Sequence, residues 1–444
     1  MRRTFVPALS LLLLATCAPA PPPGSAVPVD PAEAERRARE LTELQERHRV
    51  EALATRRFTH RELWDALGPV VDGAPGLARE EAGRSAEGRP IHAVRYGRGP
   101  TRVLLWSQMH GDESTATLAL ADVLRFLAEA PEHPLARRLA ERLTVVAVPM
   151  LNPDGAERFE RRNAQGIDVN RDARALATPE GRALAELQRS FRPEFGFNLH
   201  DQDVRARVGS SRDRLAAIAL LAPPFDAARS DNPTRARAKR VAAVVRGAVE
   251  PLVAGHVTRY DDTYNPRAFG DAMQRWGTST VLIESGGWRG DPEKQYLRRV
   301  NFVAILAALD AIATGAYAAA DPAAYEALPE NGRRASDLLV RGGRVVLPGS
   351  GPFRADLAVD YADAPARTGG AVAEVGDLAE TVARDTVEAA GLFVHPAPEM
   401  LAADAGGRLY LAPGAPAHFT VRRGPEPGSA AVWTVEGGAA RRVR

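Results

Sequence analysis

Met109-His110-Gly111-Asp112-Glu113 follows directly on the apolar run Arg102-Val103-Leu104-Leu105-Trp106-Ser107, and this junction decides the fold class. The run has apolar and β-branched residues without helical period, which predicts a short buried strand. From Ser114 to Ala130, residues Leu118, Ala121, Val123, Leu124 and Leu127 supply the apolar face of a helix. Between the two lie an imidazole and a carboxylate three residues apart. A strand, then polar side chains, then a helix is how α/β proteins present chemistry at the carboxyl ends of their strands. A catalytic zinc takes three protein ligands, often two His and a Glu, with water in the fourth position. One loop offers two of them here, and the third must come from elsewhere.

Further along, the same grammar repeats. A second strand, Leu143 to Pro149, leads into Asn152-Pro153-Asp154-Gly155, which is strong turn chemistry. A charged stretch from Arg161 through Asp168, Asn170 and Arg171 to Asp172 follows. A third strand, Glu194 to Leu199, stops at His200-Asp201, and a fourth, Ser279 to Ile283, stops at Glu284 before Ser285-Gly286-Gly287. His200 alone could be a satisfied core histidine. A carboxylate directly after an apolar strand needs a metal, a partner or a catalytic task.

Together these pieces resemble the zinc carboxypeptidase family, the M14-type metallocarboxypeptidases, over roughly residues 55 to 320. The resemblance implies that His110, Glu113 and His200 are the three ligands of one zinc ion per chain. It implies Glu284 as general base, Arg161 as the arginine beside the scissile carbonyl, and Asn170 with Arg171 as the pair gripping a substrate's terminal carboxylate. Asp168 matches the carboxylate behind the first histidine, where it would fix the tautomer and raise basicity. The implied fold is a mixed, mainly parallel twisted sheet with helices on both faces. The implied substrate is a peptide with a free C-terminal carboxylate.

Two departures stand out. The interval from Glu113 to His200 is shorter than in the digestive members, which implies reduced loops around the substrate groove. After the third ligand the chain reads His200-Asp201-Gln202 where those enzymes have a serine-containing stretch. The family also uses a mobile tyrosine before the base, and Tyr260 and Tyr264 both compete; Tyr264 is the reading taken here. Phe269 suits an apolar pocket, while Asp261, Asp262 and Asp271 suit a basic substrate side chain, so specificity stays open.

The remaining sequence bounds location and domains. Arg2-Arg3 before the apolar run Phe5 to Ala15 has the length and flank of a signal peptide rather than a membrane span. Cys17, the single cysteine, closes Leu14-Ala15-Thr16-Cys17, which resembles a bacterial lipobox. The expectation is an exported chain, periplasmic or anchored in the outer membrane by a lipid on Cys17, with cleavage near Ala18 to Ala20 and secretion as the alternative. No internal disulfide can form. The expected divisions are a signal peptide at 1–17, a Pro-rich tether and exposed helix at 18–54, a catalytic domain at 55–325 and a small β-rich accessory domain at 330–444. With a net charge of +2 and no basic stripe, nucleic acid is not an expected partner.

The leading expectation is therefore an exported zinc metallocarboxypeptidase. Hydrolysis of peptidoglycan stem peptides or deacylation of amino acids on the same zinc site is the nearest alternative. A non-catalytic protein that binds peptides or cell wall is the alternative from another class.

Overall fold

The computed structural model describes residues 30–443, so the expected signal peptide, Cys17 and the tether before Asp30 lie outside the described residues. The strands are β1 (Leu77–Arg84), β2 (Pro90–Tyr96), β3 (Thr101–Ser107), β4 (Leu143–Val148), β5 (Phe195–Asp201), β6 (Arg207–Val208), β7 (Ile218–Leu221), β8 (Val257–Arg259) and β9 (Ser279–Ser285). The helices are α1 (Pro31–His48), α2 (His60–Asp72), α3 (Thr115–Glu129), α4 (Pro134–Arg142), α5 (Pro153–Arg158), α6 (Pro179–Phe191), α7 (Pro233–Val249), α8 (Phe269–Arg275) and α9 (Gln295–Thr314). Eight of the strands form one sheet in the order β1-β2-β4-β3-β5-β9-β7-β8, and β6 pairs instead with Asn331–Gly332.

The sheet centre, β4-β3-β5-β9, is parallel throughout, while β1, β2 and β7 join antiparallel. Its faces are read off alternate residues. On β3, Val103 and Leu105 pack with α3 and α9, whereas Leu104 and Trp106 pack with α6 and α8. Burial on both faces is why these strands read as unbroken apolar runs. The expected fold class is present: a mixed, mainly parallel sheet with helices on both sides. The chain leaves β3 for β4 on one side, then crosses back to β5 on the other. That reversal opens a crevice at the carboxyl ends of β3 and β5, where such folds bind ligands.

The N-terminal helix corrects an expectation. Charge density predicts an exposed helix outside the catalytic domain, yet α1 buries Ala38, Leu41, Leu44 and Gln45. Its apolar stripe packs on α3 and α9, and Gln45 Nε2 donates to the buried Asp122 carboxylate at 2.8 Å. Val50 and Leu53 join the same core. The charges cover the solvent face of a helix that belongs to the main core.

Residues after 330 are β-rich, with a four-stranded and a six-stranded sheet around a separate core that includes Leu338, Val340, Val359, Val394 and Val421. Charge pairs join this region to the larger one. Asp337, held within the β-rich region by Arg384 Nη1 at 2.8 Å, accepts from Arg205 Nε at 2.8 Å, and Asp363 pairs with Arg56 and Arg57.

Candidate metal centre

Local packing holds the ligand loop. Asn152 N donates to Gln108 O at 3.0 Å and Leu151 N to Ser107 O at 3.1 Å, so the turn after β4 zips onto the loop after β3. Asn152 Oδ1 then caps α5 through Gly155 N at 2.9 Å. Gly111 sits against that turn so tightly that a Cβ would lie 1.9 Å from the Gly155 carbonyl carbon. Gly111→Ala is therefore expected to displace His110 and Glu113 and weaken zinc binding about 10- to 100-fold, the range seen when support around a metal site is lost. Competition titration against a zinc chelator checks this. Wild-type affinity would mean that the turn does not position the loop.

His110, Glu113 and His200 come together from the ends of β3 and β5, all buried, with their ligand atoms within 4.8 Å of one another. His110 Nδ1 lies 2.8 Å from Glu113 Oε1, and His200 Nδ1 lies 2.7 Å from Glu113 Oε2. Asp168 Oδ1 stands 3.0 Å from His110 Nε2, behind the ring. Accepting from Nε2–H leaves the Nδ1 lone pair facing the cluster, the arrangement a metal-binding histidine needs. Burial would raise the Asp168 pKa, but His110 and Arg161 hold it well below the usual carboxylate range. Burial likewise opposes ionisation of Glu113, and the two histidines overcome it.

Arg161 is tethered to the same centre. Its Nε and Nη2 donate to Asp168 Oδ2 at 3.2 and 3.1 Å, and its Nη1 donates to Glu113 Oε1 at 2.9 Å. Glu284 enters through sheet register: β5 and β9 are parallel, with His200 paired to Glu284. Burial first, then the neighbouring Glu113 charge, push the Glu284 pKa well above the usual range. Asn170 is fixed rather than free, since its Oδ1 accepts from Phe269 N at 2.9 Å and its Nδ2 lies 3.5 Å from His200 Nε2. The exposed Arg171 reaches back to Asn170 O at 2.7 Å.

Of the two competing tyrosines, Tyr264 is the expected one, and Tyr260 is the one on which the Glu284 charge acts. Thr258, Ala219 and Glu284 lie in one row across β8, β7 and β9, and Tyr260 follows two residues after Thr258, just beyond β8. The Glu284 charge is the main influence raising the Tyr260 hydroxyl pKa, followed by burial. Tyr264 lies further along the loop. Phe269 is fully buried among Trp106, Leu184 and Met273, so it is core rather than a cleft floor. Of the three acids, Asp262 pairs with Arg229 and Arg235, whereas Asp271 is buried and pushed up to about 6 by that burial.

Asp201, at a position where the chain departs from the digestive members, has a structural role. Its backbone N–H donates to Glu113 Oε2 at 3.1 Å. Its carboxylate accepts from Thr115 Oγ1 at 2.6 Å and from the buried Lys294 Nζ at 3.1 Å. That Lys294 is one of only two lysines is the single hint the sequence carried. Beside the centre lies a cavity of about 440 Å³ lined by Glu113, Arg161, Asp201, Arg56 and Phe159, with Ala362–Pro365 of the β-rich region as its far wall.

A family model described as zinc carboxypeptidase matches residues 70–278. Over these residues the chain is similar to the zinc carboxypeptidase family. Carboxypeptidase 2 of Trichophyton rubrum is 30% identical over 131 residues, which are 30% of this chain and 23% of that protein. Carboxypeptidase D of Homo sapiens is 31% identical over 207 residues, 34% of this chain and 15% of that protein. The chain thus matches about a quarter or less of the length of these curated relatives. Among solved structures, a metallo-carboxypeptidase from Burkholderia cenocepacia is 21% identical with a TM-score of 0.45, covering 57% of this chain and 70% of that one. Zinc fits the residues present. Two imidazole nitrogens and a carboxylate are the donor set of catalytic zinc sites, and the histidine support behind His110 is in place.

Proposed function

We propose that this chain is a zinc metallocarboxypeptidase that releases C-terminal residues from peptides with a free terminal carboxylate. The observation that carries the reading is the register that sets Glu284, a buried carboxylate of raised pKa, beside His200 and its two partner ligands. When bound, zinc supplies a Lewis acid and lowers the pKa of water toward neutrality. Glu284 takes the proton of the attacking water and returns it to the leaving amine, a task its raised basicity suits. Arg161, held by Asp168, offers a fixed cationic donor to the developing oxyanion, worth about 3 kcal/mol of barrier. Arg171 presents a planar fork to the terminal carboxylate, with Asn170 fixed beside it.

Tyr260 keeps its proton across the neutral range and can donate it in a hydrogen bond to the bound peptide. Tyr260→Phe is expected to lower kcat/KM about tenfold, the cost of one hydrogen bond to a polar or charged group. Tyr264→Phe stays near wild type. Equal effects of the two would show that neither tyrosine is placed as described.

The reading is tested by zinc content and by mass spectrometry of peptides incubated with the purified chain. Stepwise loss of C-terminal residues, with C-terminally amidated peptides spared, supports it. A zinc-loaded chain that leaves free-ended peptides intact would refute it. The N-terminal pattern supports a further proposal, that the chain is exported and lipidated on Cys17, which the intact mass of the mature protein checks.

A further inference from the structure

Between the zinc carboxypeptidase region and the β-rich region lies a second cavity, of about 470 Å³. Seven of its lining side chains are cationic and three are acidic. Pairing does not remove the excess. Arg367 pairs with Asp385, Arg384 with Asp337, and Lys294 with Asp201. Asp291 accepts from Tyr296 N and Leu297 N, both at 3.0 Å, and Asp213 accepts from Ser211 Oγ at 2.7 Å. Arg207, Arg212, Arg214 and Arg289 are left, and among the described residues none of the four has a carboxylate within salt-bridge distance. Arg207 donates only to carbonyls, Arg333 O and Ser211 O, both at 2.7 Å. Burial, then Arg212 and Arg333, lower its pKa from the ordinary guanidinium value. Like charges gathered around one cavity repel one another, and an anion relieves that repulsion.

Its position gives the cavity a use. Gly286 and Gly287 carry the chain from Glu284 to the cavity wall. A Cβ there would come within 2.0 Å of Ala216 O and 2.2 Å of Val204 O, so the strand end passes through a tight gap. Val204, Lys294 and Pro365 line both this cavity and the one beside Glu113 and Arg161. The two cavities are therefore neighbours that meet along this wall, with the metal centre on one side and the four arginines on the other. Arg171, offered to the terminal carboxylate, lines neither cavity. What reaches the arginines is then the part of the peptide upstream of the bond that is cut.

We propose that this cavity is an oxyanion subsite, built partly by the β-rich region, that takes carboxylate groups of the substrate peptide upstream of the scissile bond. The inference rests on the carboxypeptidase reading above, and it makes acidic peptides the preferred substrate class. Free phosphate shares the chemistry and is distinguished by the test.

The test uses the zinc-loaded full chain and two peptides with the same last two residues. One carries three Asp or Glu upstream; the other has Ser and Gln there. Wild type is expected to favour the acidic peptide at least about tenfold in kcat/KM at low salt, within the range that charge steering gives. The ratio should shrink as salt shortens the Debye length from about 30 Å at 0.01 M to about 8 Å at 0.15 M. In R212E/R289E, which replaces two exposed arginines, the ratio should fall to about 1 or below. Calorimetry with the acidic peptide as its C-terminal amide should show binding to wild type that the variant loses. Inorganic phosphate should bind far more weakly. A wild-type ratio near 1 with both peptides cleaved overturns the subsite, as does phosphate binding more tightly than the acidic amide. If neither peptide is cleaved the carboxypeptidase reading fails, and the calorimetry still decides: binding lost in the variant keeps the oxyanion site, and no binding removes it.

Discussion

Glu284→Gln is expected to lower kcat/KM for a C-terminally free peptide about 1000-fold or more while zinc content stays at the wild-type level, since a positioned general base contributes about 10²- to 10⁴-fold. The two readouts separate because Glu284 is not among the three clustered ligands but faces them from the next strand. Gln keeps shape and hydrogen bonding while removing the proton acceptor. Stability moves the other way. A carboxyl whose folded pKa is raised disfavours its charged form in the fold, so it destabilises above the folded pKa and is relieved as pH falls through it. The metal-free variant should accordingly unfold at higher denaturant than metal-free wild type at pH 8, with the gap closing in acid. Loss of zinc together with activity would mean Glu284 supports the site rather than acting as its base. Retained activity would remove it from the mechanism.

The elements that were legible in the sequence share one physical cause. β3, β5 and β9 are buried on both faces, so their apolar runs are continuous and their ends are marked by the first ionisable residue: Ser107 to His110, His200, Glu284. The positions of Asp168 and Arg161 around His110 came only through resemblance, because a loop of mixed charge carries no period. Tyr260 and Tyr264 are not separable in the sequence, because spacing in a loop does not show which residue continues a strand. Helix α1 read as exposed because its many charges outweigh the few residues it buries. Asp201 and Lys294, 93 positions apart, meet only in three dimensions. The arginine cavity draws its walls from separate segments of both regions, none of which is unusual alone.

The same distance problem hides a charge pair buried in the main core. Asp122 on α3 and Arg298 on α9 are both fully buried and paired through Arg298 Nε at 2.7 Å and through Nη2. Asp122 also accepts from Gln45 Nε2 and Val50 N, each at 2.8 Å, and Arg298 donates to Leu53 O at 2.6 Å and Val50 O at 3.1 Å. Two charges thus tie α1 and the segment after it to the two central helices. Arg298→Met should cost about 3–5 kcal/mol, because it leaves Asp122 charged in the core without its counter-ion. D122N/R298M removes both charges and should recover part of that loss, since an apolar or neutral replacement of a whole buried pair is often tolerated. Chemical denaturation of the three proteins measures both effects. A single variant within about 1 kcal/mol of wild type would show that water or a neighbour compensates Asp122. The consequence reaches the metal centre: Lys294, one turn before Arg298 at the start of α9, holds the Asp201 whose N–H steadies Glu113. Zinc affinity of Arg298→Met, measured well below its unfolding transition, should therefore fall if the first turn of α9 loosens with the pair, and stay unchanged if that turn is held by Asp291 alone.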